Sequence, residues 1–540
     1  MSEERGQLKK RKVGLISAVG LVYSLVAAGA YGVEEMIPSS GPGLTLILLL
    51  VLPIIWGLPQ SLMVSELGSA LPLEGGGYQW VQRAMGEFWG FQFGWCRFLG
   101  NYLGTPAFVI LVGDYAASLF GLSAIVKYIL EIVVIIVVVY INIRGIKEVA
   151  MINTVISVLI IIAFGTVAII GFMNFHQNPF EPIIPEEQSL LESLGLGLAI
   201  GMWMYMGFYS VNAVAGELEN PQVIPKAILI VLPLMVLTYV FPVSGGLSSI
   251  GQWDNWGTDA VSYANVVATY GGPALGVGFV FVALISQLSM FNAYTATSPR
   301  EFFVLSEDNL GPEFFAKINK KHGTPARAIV LMGVFSIVCC NFDFSAIVVI
   351  STFMLMFCIV MIAISAIMIR VKEPDLRGPF RAPLGNKGYV IMCLLPIIIP
   401  IVALYLNGTD YFVFGLAAML SGIIVYIPLK RKYGGLNKVD PEKYPLNIKT
   451  KLAFNDLNRI SLFLIILAVV GFIGVWFLPM YEDAAYYAEA YGIANFFDLL
   501  IKGLLITNVI CVVSGIIVKV ISRNVEVSEV KSPIQNGTKK

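Results

Sequence analysis

Fourteen apolar windows follow one another along the chain, at 13–38, 44–71, 88–119, 124–143, 148–174, 192–216, 226–250, 271–304, 327–346, 348–370, 388–407, 411–429, 460–480 and 497–521. Short segments rich in charge, glycine and proline separate them. A helix needs ~20 apolar residues to cross a hydrocarbon core of ~30 Å. The pattern therefore predicts an all-α polytopic membrane protein with about 14 transmembrane helices. Basic residues orient it. With the N-terminus inside, Lys127 and Lys502 fall near the outer face, Arg97 falls within a span, and the other 32 of the 35 Lys and Arg lie on the inner side. That asymmetry is what the positive-inside rule describes, and a missed helix would scramble it. The expectation is a multi-pass protein of the cell membrane with both termini cytoplasmic.

Composition narrows the class further. Hydrophobic residues make up 57% and charged residues 13%, against about 25% charged in a soluble domain. This excludes a soluble enzyme, a coiled coil and a disordered chain. Lys9, Lys10, Arg11 and Lys12 precede the first apolar window, but no small-residue cleavage site follows, so the window reads as a retained first span. Net charge is zero, which gives no reason to expect a nucleic-acid partner. The six cysteines lie in or beside apolar runs without C-x-x-C spacing, and His176 and His322 are the only histidines. Neither set offers a metal site, no catalytic motif is present, and no cofactor is expected. The lipid bilayer and a small-molecule substrate are the expected partners; nothing in the sequence names a protein partner.

The chemistry lies in the exceptions to the apolar pattern. Span 1 contains Ala28, Gly29, Ala30, Tyr31 and Gly32 ahead of Glu34 and Glu35, and span 6 contains Gly207 among Trp203, Tyr205, Phe208 and Tyr209. Small residues in membrane helices commonly serve close packing. Here they recur five spans apart, in helices that cross in opposite senses, which is the placement of paired broken helices around a transport site. If span 1 breaks at Gly29–Gly32, Glu34 faces the cavity and can bind an amine or carry a coupling proton. Arg97 in span 3 either snorkels or pairs with an acid such as Glu66, and Asp114 reads as interfacial. Span 8 carries a polar run, Ser286, Gln287, Ser289, Asn292, Thr295, Thr297 and Ser298. Ser286, Ser289 and Asn292 share a helical face and are the candidates for a coupling-ion site, although hydroxyls in such helices also bond their own backbone.

Six segments carry a family resemblance: YGVEE (31–35), LPQSLMVSELGSALPLEGGGYQWV (58–81), FWGFQFGW (88–95), AGELENPQVIPKA (215–227), LGPEFFAKINKKHGTPARAI (310–329) and RGPFRAPLGNKGYVIMCL (377–394). In these the chain resembles the amino acid, polyamine and organocation transporter superfamily, and within it most resembles the polyamine:cation symporters of plants. The resemblance implies a leucine-transporter-like inverted five-plus-five helix repeat over 13–370, with helices 1 and 6 broken, alternating access, a central site between spans 1, 3, 6 and 8, and coupling to H⁺ or Na⁺. By position it assigns substrate-binding backbone to Ala28–Gly32, a role to Glu34, and a cytoplasmic gate to Glu217, Glu219, Asn220 and Pro221, with Arg144 or Lys226 as counter-charges.

Outside the repeat, 1–12 is expected as a cytoplasmic segment, 388–429 as helices 11 and 12, 430–459 as a cytoplasmic linker, 460–521 as two additional helices, and 522–540 as a disordered tail. Two departures bear on substrate. Plant carriers of this type place acids in span 6 and span 3, where this chain has Tyr209 and Gly104 with Thr105. The span 5 lysine of proton-coupled amino acid carriers is also absent. The leading expectation is a secondary active importer of an amino acid, its carboxylate docked on span 1 amides and its amine on span 6 carbonyls. The alternative is import of a polyamine or related organic cation. Ranked below both is a transporter-like sensor or membrane subunit of a complex.

Overall fold

The structure is a computed structural model that describes residues 14–26, 30–71, 75–144, 150–208, 223–257, 262–319, 321–442, 444–453, 455–482 and 484–530. Helices are numbered in chain order. The first half comprises α1 (Leu15–Val26), α2 (Met36–Ser40), α3 (Pro42–Leu52), α4 (Leu58–Ala70), α5 (Gly77–Met85), α6 (Glu87–Gly104), α7 (Pro106–Phe120), α8 (Ala124–Arg144) and α9 (Ala150–Met173). The middle comprises α10 (Leu190–Met204), α11 (Val223–Ser249), α12 (Tyr263–Gly271), α13 (Pro273–Glu307), α14 (Ala326–Cys339) and α15 (Phe344–Lys372). The end comprises α16 (Gly385–Leu406), α17 (Thr409–Tyr433), α18 (Asp456–Phe477), α19 (Ala484–Tyr491) and α20 (Phe496–Val530). Among the described residues the only β-structure is an isolated bridge between Leu446 and Ala453.

In every apolar window the described residues are mainly helical. Among the described residues, eleven helices, counting α3–α4 and α6–α7 as continuous, are long and apolar enough to cross a membrane. The other three windows hold the shorter helices α1, α10 and α14, and the first two of these belong to the spans expected to break. A π-turn over Pro53–Gly57 joins α3 to α4, where Pro53 and Pro59 lack the amide needed to continue an α-helical ladder. Large apolar side chains such as Ile125 and Ile424 point outward, as a lipid-facing surface requires and an aqueous one would not allow.

Glycine sets how closely the central helices approach. On α6, a Cβ at Gly100 or Gly104 would lie 2.9 or 2.7 Å from Leu355 or Ser351 of α15. These two glycines are four residues apart and share one face, the close-approach device of membrane helices. Gly171 of α9 and Gly245 of α11 meet backbone to backbone in the same way.

Two features of the C-terminal region add to the sequence reading. The segment 430–459, expected as a cytoplasmic linker, is packed onto the end of the molecule that carries most Lys and Arg, hereafter the basic end. Lys430 pairs with Glu87, Tyr426 bonds Asp456, and the Leu436 amide donates to Glu87 at 3.3 Å. The final helix pair then docks through Phe463 against Phe88 and Trp89, and through Gly474 against Phe412 of α17. The tail also begins later than 522, because α20 continues to Val530; residues 531–540 lie outside the described part.

Candidate functional site

The first expected interruption is present, and the helix expected to hold the second stops partway through its apolar window, with residues 209–222 outside the described part. After α1, Gly32 adopts φ +88° and opens a 3₁₀ turn, Val33–Glu35, that leads into α2. A side chain at Gly32 would meet left-handed backbone and the ring of Phe344 only 2.5 Å away, so glycine is required there. In the second interrupted helix, α10 ends at Met204 and Gly207 adopts φ +104°. Ala30, Tyr31 and Gly32 are buried at the first break, and Tyr205 and Phe208 at the second. Ala28, Gly29, Tyr209 and the expected gate residues Glu217, Glu219, Asn220 and Pro221 lie outside the described residues.

Backbone freed at a break must find partners in a dry interior. The Met202 carbonyl accepts from the Trp56 indole at 3.1 Å, and the Met204 carbonyl from the Tyr239 hydroxyl at 3.3 Å. The Gly32 amide donates to Glu34 at 3.0 Å. Protein donors and acceptors thus occupy backbone that the sequence reading assigned to substrate. The Tyr239 bond is the longest of the three, and so the most readily exchanged.

A cavity of about 60 Å³ lies between the two breaks. One water takes ~10–15 Å³ by the same measure, so the space holds about four waters. Tyr31 lines it from the first break, and Trp203, Met204, Met206 and Gly207 from the second. Span 3 contributes Arg97, Asn101, Gly104, Thr105 and Phe108; α13 contributes Gln287, Met290 and Tyr294; α15 contributes Ser351, Leu355 and Ile359. The site therefore lies where spans 1, 3, 6 and 8 converge, with span 10 as a further wall. Gly104 and Thr105, where plant carriers of this type place an acid, are part of the lining.

Arg97 lies on the basic-end side of the cavity and pairs with Glu301 of α13 at 3.1 Å; Asn101 donates to the same carboxylate at 2.7 Å. The expected partner Glu66 instead holds Arg370 at 2.6 Å and accepts from the Ala382 amide. Sequence proximity suggested the wrong acid, because Glu301 comes 204 residues after Arg97 and only packing of α6 on α13 brings them together.

Glu34 does not line the cavity. It is fully buried and accepts the Tyr115 hydroxyl at 2.7 Å as well as the Gly32 amide. Tyr115 is seven residues beyond the cavity-lining Phe108, about 10 Å along the helix, so Glu34 sits one layer away on the side opposite the basic end. The ring of Tyr31 separates cavity from carboxylate, packed edge-on against Tyr115 and Phe164. Glu35 is half-buried near Gly257.

The proposed ion face of α13 also points elsewhere. Asn292 accepts from Asn142 of α8 at 2.8 Å, and neither Ser286 nor Ser289 lines the cavity. The cavity face is Gln287, Met290 and Tyr294, offset by one residue or about 100° around the helix. Gln287 stood in the same polar run of the sequence. What singles it out is the side of α13 that the neighbouring helices leave open, which packing and not spacing decides. Glu301 and Asn101 were missed for the same reason.

Comparison with known proteins adds to this geometry. The sequence profile described as amino acid permease matches residues 13–428. The chain is similar to polyamine transporter RMV1 of Arabidopsis thaliana, 28% identical over 78% of this chain and 86% of the relative. It is similar to polyamine transporter PUT1 of Oryza sativa subsp. japonica, 28% identical over 78% of each chain. It is also similar to the branched-chain amino acid permease BcaP of Bacillus subtilis (strain 168), 24% identical over 81% of this chain and 95% of the relative. These relatives are transporters and permeases, not enzymes.

Proposed function

Because the chain belongs to the amino acid permease family, we propose that it is a secondary active transporter importing a small amino acid across the cell membrane by alternating access, with both termini cytoplasmic and an H⁺ or Na⁺ gradient as the drive. The observation that carries the reading is the convergence of two helix breaks, five spans apart, on one cavity. Discontinuous helices at matched positions are how carriers place a site at the bilayer midplane, and rocking of one bundle against another exposes it to each side in turn.

Charge favours an amino acid over a polycation. Among the described residues, the charged side chains lining the cavity reduce to Arg97, whose charge Glu301 already balances. A buried cation without a counter-charge is costly. A zwitterion brings its own. Its amine takes the Met204 carbonyl in exchange for Tyr239, and its carboxylate turns toward the amides of the span 1 break. On the basic-end side, the Arg97–Glu301 pair with Asn101 bridges α6 and α13 and opens for release. Glu217, Glu219, Asn220 and Pro221, which lie outside the described residues, keep the role of cytoplasmic gate that the resemblance implies.

A second reading, import of a polyamine, is supported by the relatives named as polyamine transporters, and Glu34 with Glu35 would then hold the ligand's charge. Proteoliposomes carrying the purified protein, with imposed H⁺ or Na⁺ gradients, decide between the two. Accumulation of labelled amino acids supports the first reading. Accumulation of putrescine or spermidine with no amino acid uptake overturns it.

A further inference from the structure

We infer that Gln287 is the residue that reads the solute's side chain, and that the preferred solute is an amino acid whose side chain is polar and uncharged, ending in a hydroxyl or carboxamide. The inference rests on the amino acid reading above and narrows it. Gln287 is 1% exposed, lines the cavity, and has no hydrogen-bond partner for either its amide nitrogen or its amide oxygen. Buried donors and acceptors in native proteins are nearly always satisfied, and an orphan beside a void calls for a ligand or water. Burial without a partner is not sufficient on its own. Gln92 is also buried and unpartnered, but it is packed against Gly422 and does not line the cavity between the breaks.

The other polar groups around the cavity leave this role to Gln287. The Thr105 hydroxyl donates to the Asn101 carbonyl at 2.7 Å and the Ser351 hydroxyl to the Val348 carbonyl at 3.0 Å. Arg97, Asn101 and Glu301 are engaged with one another. Among the fully buried polar atoms of the described lining residues, the Tyr31 hydroxyl, at the first break, is the other one without a partner. Met290, next to Gln287 on the same face, and Leu355 and Ile359 opposite on α15, are apolar. A side chain reaching Gln287 thus meets a neutral amide donor and a neutral amide acceptor, with Met290, Leu355 and Ile359 among the apolar lining. A hydroxyl or carboxamide answers both. An aliphatic side chain leaves both unsatisfied, and a charged one finds no counter-charge. Sites built to hydrogen-bond a substrate group discriminate strongly against the analogue lacking it, whereas apolar pockets discriminate weakly.

The test uses full-length protein in proteoliposomes and size-matched pairs, serine against alanine and glutamine against methionine, each competing for uptake. The wild type is expected to favour the polar member at least ~10-fold, and Gln287→Leu to reduce that ratio at least ~10-fold. Gln287→Met, which keeps the volume, is measured alongside, and competition binding to detergent-solubilised protein gives the ratio if uptake is too slow in either variant. A wild type that carries amino acids yet prefers the apolar member, or variants that depress both members equally, overturns the role of Gln287 and leaves the transporter reading intact. Uptake of polyamines alone overturns both.

Discussion

At the basic end, Lys430 and Glu87 face each other with side-chain exposures of 0% and 2%, while in the cavity the Gln287 amide and the Tyr31 hydroxyl face nothing. Both regions bury polar groups at the junction of several helices. They differ in whether the charges are matched: at the basic end only the second carboxylate oxygen of Glu87 lacks a hydrogen bond, and its charge is still balanced by Lys430. Around Lys430 each charge has a counter-charge, with Asp456 held by Tyr426 and Arg459, and the Gly435 amide tied to the Asn309 carbonyl. This network joins α6, α17 and α18 and holds the last helix pair against the rest of the chain. In the cavity the helices are interrupted, a hydrogen bond is long, and two side chains lack partners. A matched buried network fixes one arrangement, whereas unmatched groups leave an arrangement to be completed by a ligand.

If that contrast is right, removing one member of the matched network produces the largest loss of stability in the molecule. Lys430→Met leaves Glu87 charged and buried, at a cost of ~3–5 kcal/mol. Adding Glu87→Leu to Lys430→Met is expected to restore most of it, since a well-packed apolar pair often equals or exceeds a buried ion pair. Thermal unfolding of purified protein in detergent ranks the variants. A single variant as stable as the wild type would mean that the basic end is not the rigid region.

Glu34 lies between the two regimes, matched by two donors yet one aromatic layer from the cavity. Glu34→Gln weakens two hydrogen bonds to a charged acceptor, each of the order of 1.5–3 kcal/mol. If Glu34 carries the coupling proton, the pH dependence of uptake flattens; unchanged uptake at every pH removes Glu34 from the mechanism. Gly207→Ala tests the cavity side. Its φ of +104° costs a side-chain-bearing residue ~1–2 kcal/mol, a modest loss of stability. Uptake is expected to fall ~5–30-fold, because the strain falls on the segment that must move. A drop in stability without a drop in uptake would place Gly207 with the packing glycines and not with the hinge.

The sequence made the large features legible and left the pairings obscure, for reasons visible at particular residues. Apolar windows and the glycines of spans 1 and 6 located both breaks, because a helix interruption is encoded locally by residues such as Gly32 and Gly207. Arg97 was recognised as significant, but its partner was not, since Glu301 is brought near only by the crossing of α6 over α13. Spacing along α13 gives faces, such as Ser286, Ser289 and Asn292, without saying which of them turns to the cavity; Gln287, one residue along, is on the side that does. The segment 430–459 read as a linker because its polarity is the same whether its charges meet water or, like Lys430 and Asp456, meet buried partners.

The smallest effect completes the contrast from its exposed side. Arg83 on α5 and Glu373 at the end of α15 form a close pair with side-chain exposures of 45% and 34%, so the geometry resembles Lys430–Glu87 while the surroundings do not. Hydrogen bonds from Arg83 hold the Glu373 carboxyl below its ordinary range. The folded chain therefore binds fewer protons here than the unfolded chain. The stabilisation is present above the ordinary glutamate pKa and lost as the pH falls through the lower folded value. Exposed pairs are screened by solvent, so Glu373→Gln is expected to change stability near neutral pH by less than ~1 kcal/mol, and by still less once the carboxylate is protonated. Unfolding of Glu373→Gln beside Lys430→Met, at neutral and acidic pH, checks both points. A loss from Glu373→Gln as large as that from Lys430→Met would show that charge pairing alone, and not burial, distinguishes the rigid end from the cavity.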